Sequence, residues 1–376
     1  MTYSALGVRP LINALSTYTK LGGSIMPPEV VAAMAEASRT HVNIEELQVA
    51  VGKRIAELTH NEAAYVATGA AAGLVLVTAA LIAGRDPEKI KQLPDLTGLK
   101  NEVVCHKMHR NGYDHAVRSV GVKMVEIGTA ERATAAEMEA AINENTAFAF
   151  WTQGAMNGAG EIPIEEFIAI AHARGIPVLI DAAAQLPPVE NLWKFTQMGM
   201  DAVVFSGGKD LHGPQASGLV LGRQEIIDTC RLHGSPNAAI GRPMKVGKEE
   251  MVGLLAAVKW YLGLDHDARN AMFEQWVAEW CAALNEIPGV TAERSFPNGA
   301  GQAVPRAKVT LDVDRVGITG DEIVQRLLDG DPAIAVAPNG PTSIYLNPYT
   351  LQPGEAKIVQ DHLIALLQAV QQPSAA

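Results

Sequence analysis

Short apolar runs alternate with segments of helical period between residues 62 and 222. Each run is nearly continuous in apolar residues, which is typical of strands that are covered on both faces. In chain order the runs read AAYVAT, EVVCH, KMVEI, AFAFW, PVLID and AVVFS. This alternation predicts βαβ units around a mostly parallel sheet, and therefore an α/β fold.

One segment between two of these runs shows the helical period most clearly. It lies between AFAFW and PVLID, directly behind Pro163, a residue that suits the first turn of a helix. Its apolar residues fall at i, i+3, i+4 and i+7, namely Ile164, Phe167, Ile168 and Ala171. This spacing gives one apolar stripe, so we expect a crossover helix here.

The pattern changes after about residue 245. One long helical stretch over roughly 247–285 is followed by the short strands GVTAER, RAKVTLDV and TSIYLN and by helices at about 320–329 and 354–371, which is typical of a smaller α+β domain. The long helix is expected to form the hinge. We therefore predict three parts: an N-terminal segment that packs on the active site or on a partner subunit (1–45), a large domain (46–250), and a linking helix with a small domain (251–376).

Composition narrows the class of protein. The 376 residues suffice for two domains, and the net charge of −11 without a long Lys/Arg run argues against nucleic acid as a partner. Three widely spaced cysteines indicate no disulfide framework and fit a reducing compartment. The N-terminus does not resemble a signal peptide, and no apolar run reaches about 18 residues. We expect a cytoplasmic protein that does not bind a membrane.

Three segments at predicted strand ends carry candidate chemistry. In TGAAAGL a strand ends and an apolar helix begins, so Thr68, Gly69 and Ala70 are candidates for holding a phosphate. Asp181 ends PVLID at the sheet edge where α/β proteins bind ligands, and its carboxylate suits a cationic cofactor nitrogen. The alternatives are a helix packed through small residues in the first case and a helix N-cap in the second.

Lys209 follows the next strand, in the segment FSGGKDLHGPQASG. A partly desolvated lysine is a usable nucleophile and base, and the two preceding glycines keep side chains away from a planar ligand. A phosphate-binding helix start, an aspartate and a lysine in this order match the phosphate, ring nitrogen and aldehyde of pyridoxal 5'-phosphate, with Lys209 forming the Schiff base. The alternative is a nucleotide-binding α/β protein in which Lys209 plays no part.

The chain also resembles the selenocysteine-synthase-like branch of fold-type I pyridoxal phosphate enzymes, which includes L-seryl-tRNA selenium transferases and shorter ammonia-lyase members. The resemblance is carried by VATGAAAGL, CHKMHRNGYDHAVRSVG, IPVLIDAAAQL, FSGGKDLHGPQASGLVLG, GRPMKVGKEE and NPYTLQPGE. It implies a seven-stranded sheet, at least a homodimer, and a cofactor held by Lys209 and Asp181. It also implies phosphate contacts from Gly69, Ala70 and Ser206.

Further site residues follow from the resemblance and from residue type. His109 is the first choice for stacking on the cofactor ring, and Tyr113 is the second. Arg242, Arg110 and Tyr113 are candidates for binding the substrate, because a guanidinium suits a carboxylate. The alternative is that these are solvated side chains of polar loops. No metal site is expected, since His106 and His109 lack a third ligand in the sequence.

The chain departs from the selenium transferases in two respects. It begins close to the catalytic module without their additional tRNA-binding domain and is acidic, so transfer of selenium to a tRNA is not expected. Tyr349 stands in NPYTLQPGE where relatives often have arginine. We therefore predict an ammonia-lyase that eliminates a β-hydroxyl from a small hydroxylated amino acid or amino sugar acid, with Lys209 taking the Cα proton. Transamination, racemisation and aldol cleavage remain alternatives.

Overall fold

The computed structural model describes residues 2–371, and these divide into two compact units. The large unit consists of Met26–Gly263 and Ala300–Gln302. The small unit consists of the described residues of Met1–Ile25, Leu264–Gly299 and Ala303–Ala376. Within the described chain, no helix is both long and apolar enough to cross a bilayer.

The helices of the described chain are α1 (Pro28–Ala37), α2 (Ile44–Leu58), α3 (Ala70–Ala83), α4 (Pro87–Gln92), α5 (His115–Arg118), α6 (Ala135–Ala141), α7 (Ile164–Ala173), α8 (Asn191–Gln197), α9 (Gln224–His233), α10 (Lys248–Leu262), α11 (His266–Leu284), α12 (Val313–Val316), α13 (Gly320–Asp329) and α14 (Glu355–Gln371). The strands are β1 (Leu11–Ala14), β2 (Ala63–Ala67), β3 (Glu102–His106), β4 (Lys123–Ile127), β5 (Thr146–Thr152), β6 (Val178–Asp181), β7 (Ala202–Ser206), β8 (Gly218–Gly222), β9 (Val290–Ser295), β10 (Arg306–Leu311), β11 (Ala333–Pro338) and β12 (Ser343–Leu346).

The large unit is built on a seven-stranded sheet in the order β2-β8-β7-β6-β5-β3-β4. Only β8 runs against its neighbours, β2 and β7. The other pairings, from β7 through β6, β5 and β3 to β4, are parallel. The predicted α/β fold with a mostly parallel seven-stranded sheet is confirmed, and each of the six predicted apolar runs forms a strand.

Helices cover both faces of this sheet. On one face, the largely apolar α3 packs on the middle strands, and a side chain at Gly73 would come within 3.0 Å of Val204 and Val220. On the other face, Phe167 of the predicted crossover helix α7 packs against Trp151, with ring centroids 5.3 Å apart. Pro163 is the N-cap of α7 and so precedes its first turn. The buried sheet is therefore enclosed, and Asp181 and Ser206 lie at the carboxyl ends of its strands.

The helical stretch predicted over 247–285 is two helices, so the expectation of one long helix is wrong. The first, α10, ends where the N–H of Gly263 bonds to the carbonyl of Lys259. The second, α11, begins after Asp265, whose side chain accepts a hydrogen bond from the N–H of Ala268 at 2.9 Å. A glycine followed two residues later by an aspartate cap ends one helix and begins another. The boundary between the two units falls in this break.

The small unit contains a five-stranded sheet in the order β1-β11-β12-β10-β9. Only the β1–β11 pair is parallel. The predicted strands GVTAER, RAKVTLDV and TSIYLN correspond to β9, β10 and β12, whereas β1 and β11 were not predicted. Side chains from one face of this sheet share a hydrophobic core with α11, α13 and α14.

Candidate active site

Asp181 is the last residue of β6, and its side chain is buried near the carboxyl edge of the sheet. Its Oδ1 accepts a hydrogen bond from the N–H of Ala183 at 3.0 Å. No helix begins there, because the next one is α8, so the alternative of an N-cap is wrong. Burial raises the pKa of the Asp181 carboxyl, while the nearby Lys209 lowers it. Among the described residues Asp181 forms no ion pair within 4 Å, so its carboxylate is available to a cationic ligand.

Lys209 lies in the turn that follows β7, the neighbour of β6. Burial lowers the pKa of its amine, while the carboxyl of Asp181 raises it. Asp181 is the register partner of Val204 in β7, and Lys209 follows the end of that strand, so the structure places both residues at the same edge of the sheet. A lysine that is partly withdrawn from water has a larger neutral fraction at a given pH, and the neutral amine is the form that attacks an aldehyde.

The glycines before Lys209 are required by the packing of the turn itself. A Cβ on Gly207 would lie 2.0 Å from Oγ of Ser217, and one on Gly208 would lie 2.8 Å from Cα of Gln215. Both distances are far shorter than van der Waals contact, so no larger residue fits without displacing the turn. The sequence-based explanation, access for a planar ligand, is therefore not needed to account for these two glycines.

The residue after Lys209 anchors the turn to α10. Asp210 is only 1% exposed, and its Oδ2 accepts a hydrogen bond from the hydroxyl of Tyr261 at 2.6 Å. Further along the turn, the N–H of Gly213 bonds to the carbonyl of Gly207 at 2.8 Å. These bonds fix the backbone on both sides of Lys209, and so limit the positions that its amine can reach.

Replacing Tyr261 with phenylalanine is expected to lower the free energy of unfolding by about 1–3 kcal/mol. The variant keeps the ring but removes one hydrogen bond to a buried carboxylate. Urea denaturation of the cofactor-free protein measures the effect. Tyr113→Phe is the matched control, because Tyr113 is 75% exposed, and it should leave the stability unchanged. Equal stability of Tyr261→Phe and the unsubstituted protein would show that the bond does not anchor the turn.

The predicted phosphate-binding segment lies where β2 ends and α3 begins. Gly69 caps α3 with φ +91°, a left-handed conformation that favours glycine, and a Cβ there would meet no atom within 4 Å. Gly218, by contrast, packs closely against Gly69: a Cβ added to Gly218 would lie 2.3 Å from the carbonyl carbon of Gly69. Ser206 is the register partner of Gly218. The structure therefore brings Ser206 to the start of α3, and the open space at Gly69 fits an anion.

Thr68 and Ala70 flank this cap and are partly exposed. The hydroxyl of Thr68 lies 3.5 Å from the carbonyl oxygen of Ala216, on the segment that leads into β8. All four residues predicted to contact a phosphate thus lie in one region of the large unit, together with the neighbouring strand ends that carry Asp181 and Lys209. This arrangement agrees with the charge pattern of pyridoxal phosphate.

His109 lies instead in a buried cluster beside α7. Its Nε2 is 2.7 Å from a carboxylate oxygen of Glu161 and 3.0 Å from Nδ2 of Asn157. Its ring centroid is 4.4 Å from that of His106 and 4.6 Å from that of Trp151. Burial lowers the pKa of His106 to about 4, so His106 is neutral near pH 7. Among the described residues no group of three side chains could ligate a metal here or elsewhere.

Asp181 and Trp151, the residue on which the ring of His109 packs, project to opposite faces of the sheet. Thr152 is the register partner of Asp181, so both side chains project to the face that carries α3. Trp151 precedes Thr152 and therefore projects to the opposite face, where His109 packs on it. The ring-stacking role of His109 stays a prediction, and its position on the opposite face argues against that role.

The three predicted substrate-binding residues are in different surroundings. Arg110 is held by two carboxylates, that of Asp114 at 2.5 Å and that of Glu126. Tyr113 is 75% exposed, and Arg242 is exposed in the segment between α9 and α10. Arg110 is therefore already neutralised, whereas Arg242 forms no ion pair among the described residues. Their roles toward a substrate stay predictions.

The fold and the site define a class of protein. A seven-stranded, mostly parallel sheet with an aspartate and a lysine at the ends of neighbouring strands is the arrangement of fold-type I enzymes that use pyridoxal phosphate, and more distant solved structures of such enzymes share this fold. The family model of L-seryl-tRNA selenium transferase matches residues 11–284, well over half of the chain. The chain belongs to this family.

Individual relatives agree with this assignment. The chain is 32% identical to 5'-C-glycyluridine monooxygenase-decarboxylase from Streptomyces, over 95% of this chain and 87% of that protein. It is also 32% identical to D-glucosaminate-6-phosphate ammonia lyase from Salmonella typhimurium, over 88% of each. A solved structure of D-glucosaminate-6-phosphate ammonia-lyase superposes with a TM-score of 0.85 at 30% identity, covering 98% of this chain and 99% of that one. The predicted family, fold type, cofactor and enzyme class are confirmed.

Proposed function

We propose that this protein is a pyridoxal-phosphate-dependent ammonia-lyase that acts on a small hydroxylated amino acid or amino sugar acid. The reaction removes the Cα proton and the β-hydroxyl as water, and the unsaturated amine that results takes up water to give a keto acid and ammonia. The observation that carries the proposal is the pair of Asp181 and Lys209 at neighbouring strand ends, each shifting the pKa of the other. Similarity to the ammonia lyase supports the reaction type.

The residues present fit the cofactor. The N-terminus of α3 at Thr68, Gly69 and Ala70, with Ser206 beside it, would hold the phosphate group. Asp181 would meet the ring nitrogen, which removes the cost of burying an unpaired carboxylate. Lys209 would bind the aldehyde carbon. When bound, pyridoxal phosphate withdraws electrons from the substrate Cα and so makes its proton acidic.

Lys209 would also move the proton at Cα. With the substrate amine bound to the cofactor in its place, the amine of Lys209 would be free to accept the Cα proton. Burial lowers the pKa of this amine, so its neutral, basic fraction is larger than that of a lysine in water. Asp181 would pair with the ring nitrogen, and the turn that Asp210 anchors would keep the base in place.

The relatives indicate which substrates to test. One of them is named for D-glucosaminate 6-phosphate, so phosphorylated amino sugar acids are the first compounds to test. The other is named for an oxidative decarboxylation of a glycyl nucleoside, which makes oxygen use a second candidate activity. Both names describe the relatives, and a screen of this chain must include both kinds of compound.

A cytoplasmic homodimer is part of the same proposal. Residues of the N-terminal part of the large unit support a subunit contact, because Val31, Val42 and Val49 are each nearly half exposed. Light scattering after size exclusion measures the mass directly. The predicted packing of residues 1–45 on the active site or partner belongs to this proposal as well.

The decisive assay incubates the protein and cofactor with hydroxy amino acids and amino sugar acids, and follows keto acid, ammonia, oxygen and carbon dioxide together. Equal amounts of keto acid and ammonia, without oxygen uptake and without an added amino acceptor, are expected. Oxygen uptake with release of carbon dioxide would establish the oxidative activity instead. Product formation only with an amino acceptor would establish a transaminase.

A further inference from the structure

Arg306 is the first residue of β10 in the small unit, on the face of the sheet turned away from the unit's helices. Ala307 and Val309 alternate with it along the strand and lie in the hydrophobic core that α11 and α14 share. Because successive residues of a strand point to opposite faces, Arg306 and Lys308 project from the other face. Register places Ser295 of β9 directly beside Arg306, and Tyr345 of β12 beside Lys308.

The guanidinium of Arg306 is packed among neutral groups. Its central carbon lies 3.9 Å from the centroid of the Tyr345 ring, and Nη2 is 3.5 Å from Oγ of Ser295. A Cβ on Gly299 would come within 3.2 Å of Nη1 of Arg306, so the absence of a side chain at Gly299 leaves room beside the guanidinium. The Nε–H is buried and has no hydrogen-bond partner.

No carboxylate of residues 2–371 neutralises this group. Among the described residues Arg306 has no acidic partner within 4 Å, although the chain carries an excess of eleven negative charges. Arg110 and Arg231, which are also partly buried, each contact an aspartate. Burial lowers the pKa of the Arg306 guanidinium, while Tyr345 and Tyr18 raise it, and a guanidinium stays charged at any physiological pH. A partly buried cation with an unused N–H is costly unless an anion completes it.

We infer that Arg306, with Ser295 and Tyr345 beside it, forms a binding site for an oxyanion, either a carboxylate or a phosphate group. The planar fork offers two parallel N–H donors to such a group, the stacked tyrosine ring holds the fork in one orientation, and the serine hydroxyl supplies a further donor. This assignment goes beyond the proposed reaction, because it concerns the small unit alone and can be tested without turnover.

The test compares Arg306→Met with Lys308→Met in the cofactor-loaded protein. Methionine retains the length and the contact with the tyrosine ring but not the charge. Lys308 lies on the same strand and face and is paired with Glu293 at 3.2 Å, so its loss controls for a general change in charge. Calorimetric titration with inorganic phosphate and, separately, with acetate should show binding to the unsubstituted protein. Arg306→Met should weaken it about tenfold or more, and Lys308→Met by less than about twofold.

The anion that binds more tightly, phosphate or acetate, identifies the site as one for a phosphate group or for a carboxylate. Absence of binding of either anion to the unsubstituted protein, or equal losses in both variants, would overturn the inference. Arg306→Lys keeps the charge but lacks the planar fork, so its affinity for the anion should be lower than that of the unsubstituted protein and higher than that of Arg306→Met. Its comparison with the unsubstituted protein also stands alone if Arg306→Met folds poorly. Thermal midpoints with and without anion give the same comparison by a second route. Cofactor colour and keto acid release are measured separately, so failure of the lyase proposal is distinguishable from failure of this one.

Discussion

Replacing Lys209 with alanine is expected to abolish the covalent attachment of the cofactor and its yellow colour. It should also lower turnover by several orders of magnitude. The amine is the only group of this turn that can bond to an aldehyde, and it also serves as the proposed base. Absorbance after dialysis and product release measure the two effects. In the unsubstituted protein, borohydride reduction followed by peptide mapping should place the reduced adduct on Lys209.

Lys194→Ala is the matched control, since Lys194 is an exposed lysine of the same unit on α8. It should keep both colour and turnover. The assignment of Lys209 would be contradicted by an adduct on another lysine, or by a Lys209→Ala protein that retains its colour after dialysis.

Asp181→Asn is expected to lower turnover by about 10- to 100-fold, because a charge-assisted hydrogen bond to the ring nitrogen is worth about 1.5–3 kcal/mol. The same change should not destabilise the cofactor-free protein. The pKa of Asp181 is raised by burial in the folded state, so its ionisation costs stability as the pH rises through the interval between its ordinary and its raised pKa. The neutral amide avoids that loss above this interval.

Steady-state kinetics and urea denaturation at neutral pH measure these opposite effects. Glu139→Gln is the control, because Glu139 is an exposed carboxyl on α6 of the same unit and its neutralisation should change neither quantity. Unchanged turnover in Asp181→Asn would remove Asp181 from the cofactor site. A large loss of stability in the cofactor-free variant would show that its carboxylate serves the fold.

The strands of the large unit were predictable because burial on both faces makes them continuously apolar. EVVCH, KMVEI and AVVFS match β3, β4 and β7 residue for residue. In the small unit, AIAVAP of β11 is a similar apolar run next to prolines, although it is not among the predicted strands. The four residues of β1 carried no such signal, since their partner is β11, more than three hundred positions later. The break between α10 and α11 was readable from Gly263 and Asp265.

The site was predictable as far as chain order determines it. Residues at the carboxyl ends of successive strands meet at one sheet edge, so strand order alone predicts the sites of Asp181 and Lys209, whereas Ser206 follows from the resemblance to the family. Contacts between distant segments were not predictable: Tyr261 lies 51 positions from Asp210, and Glu161 lies 52 from His109.

The arginines show the same limit in another form. Arg110 has an aspartate four positions later, so its neutralisation could have been read from helical spacing. For Arg306 the informative property is the lack of an acidic neighbour in three dimensions. Residue type and spacing along one strand do not reveal that property.

The close approach of Gly218 to Gly69 has a consequence for biosynthesis. The proposed phosphate end of the cofactor site would be completed only when β8 pairs beside β2, and the turn that carries Lys209 is anchored only when α10 supplies Tyr261. A growing polypeptide on the ribosome therefore lacks a finished vitamin B6 pocket until about two thirds of the chain has been translated. Loading of the coenzyme must follow synthesis of the large unit and cannot guide the folding of its first half.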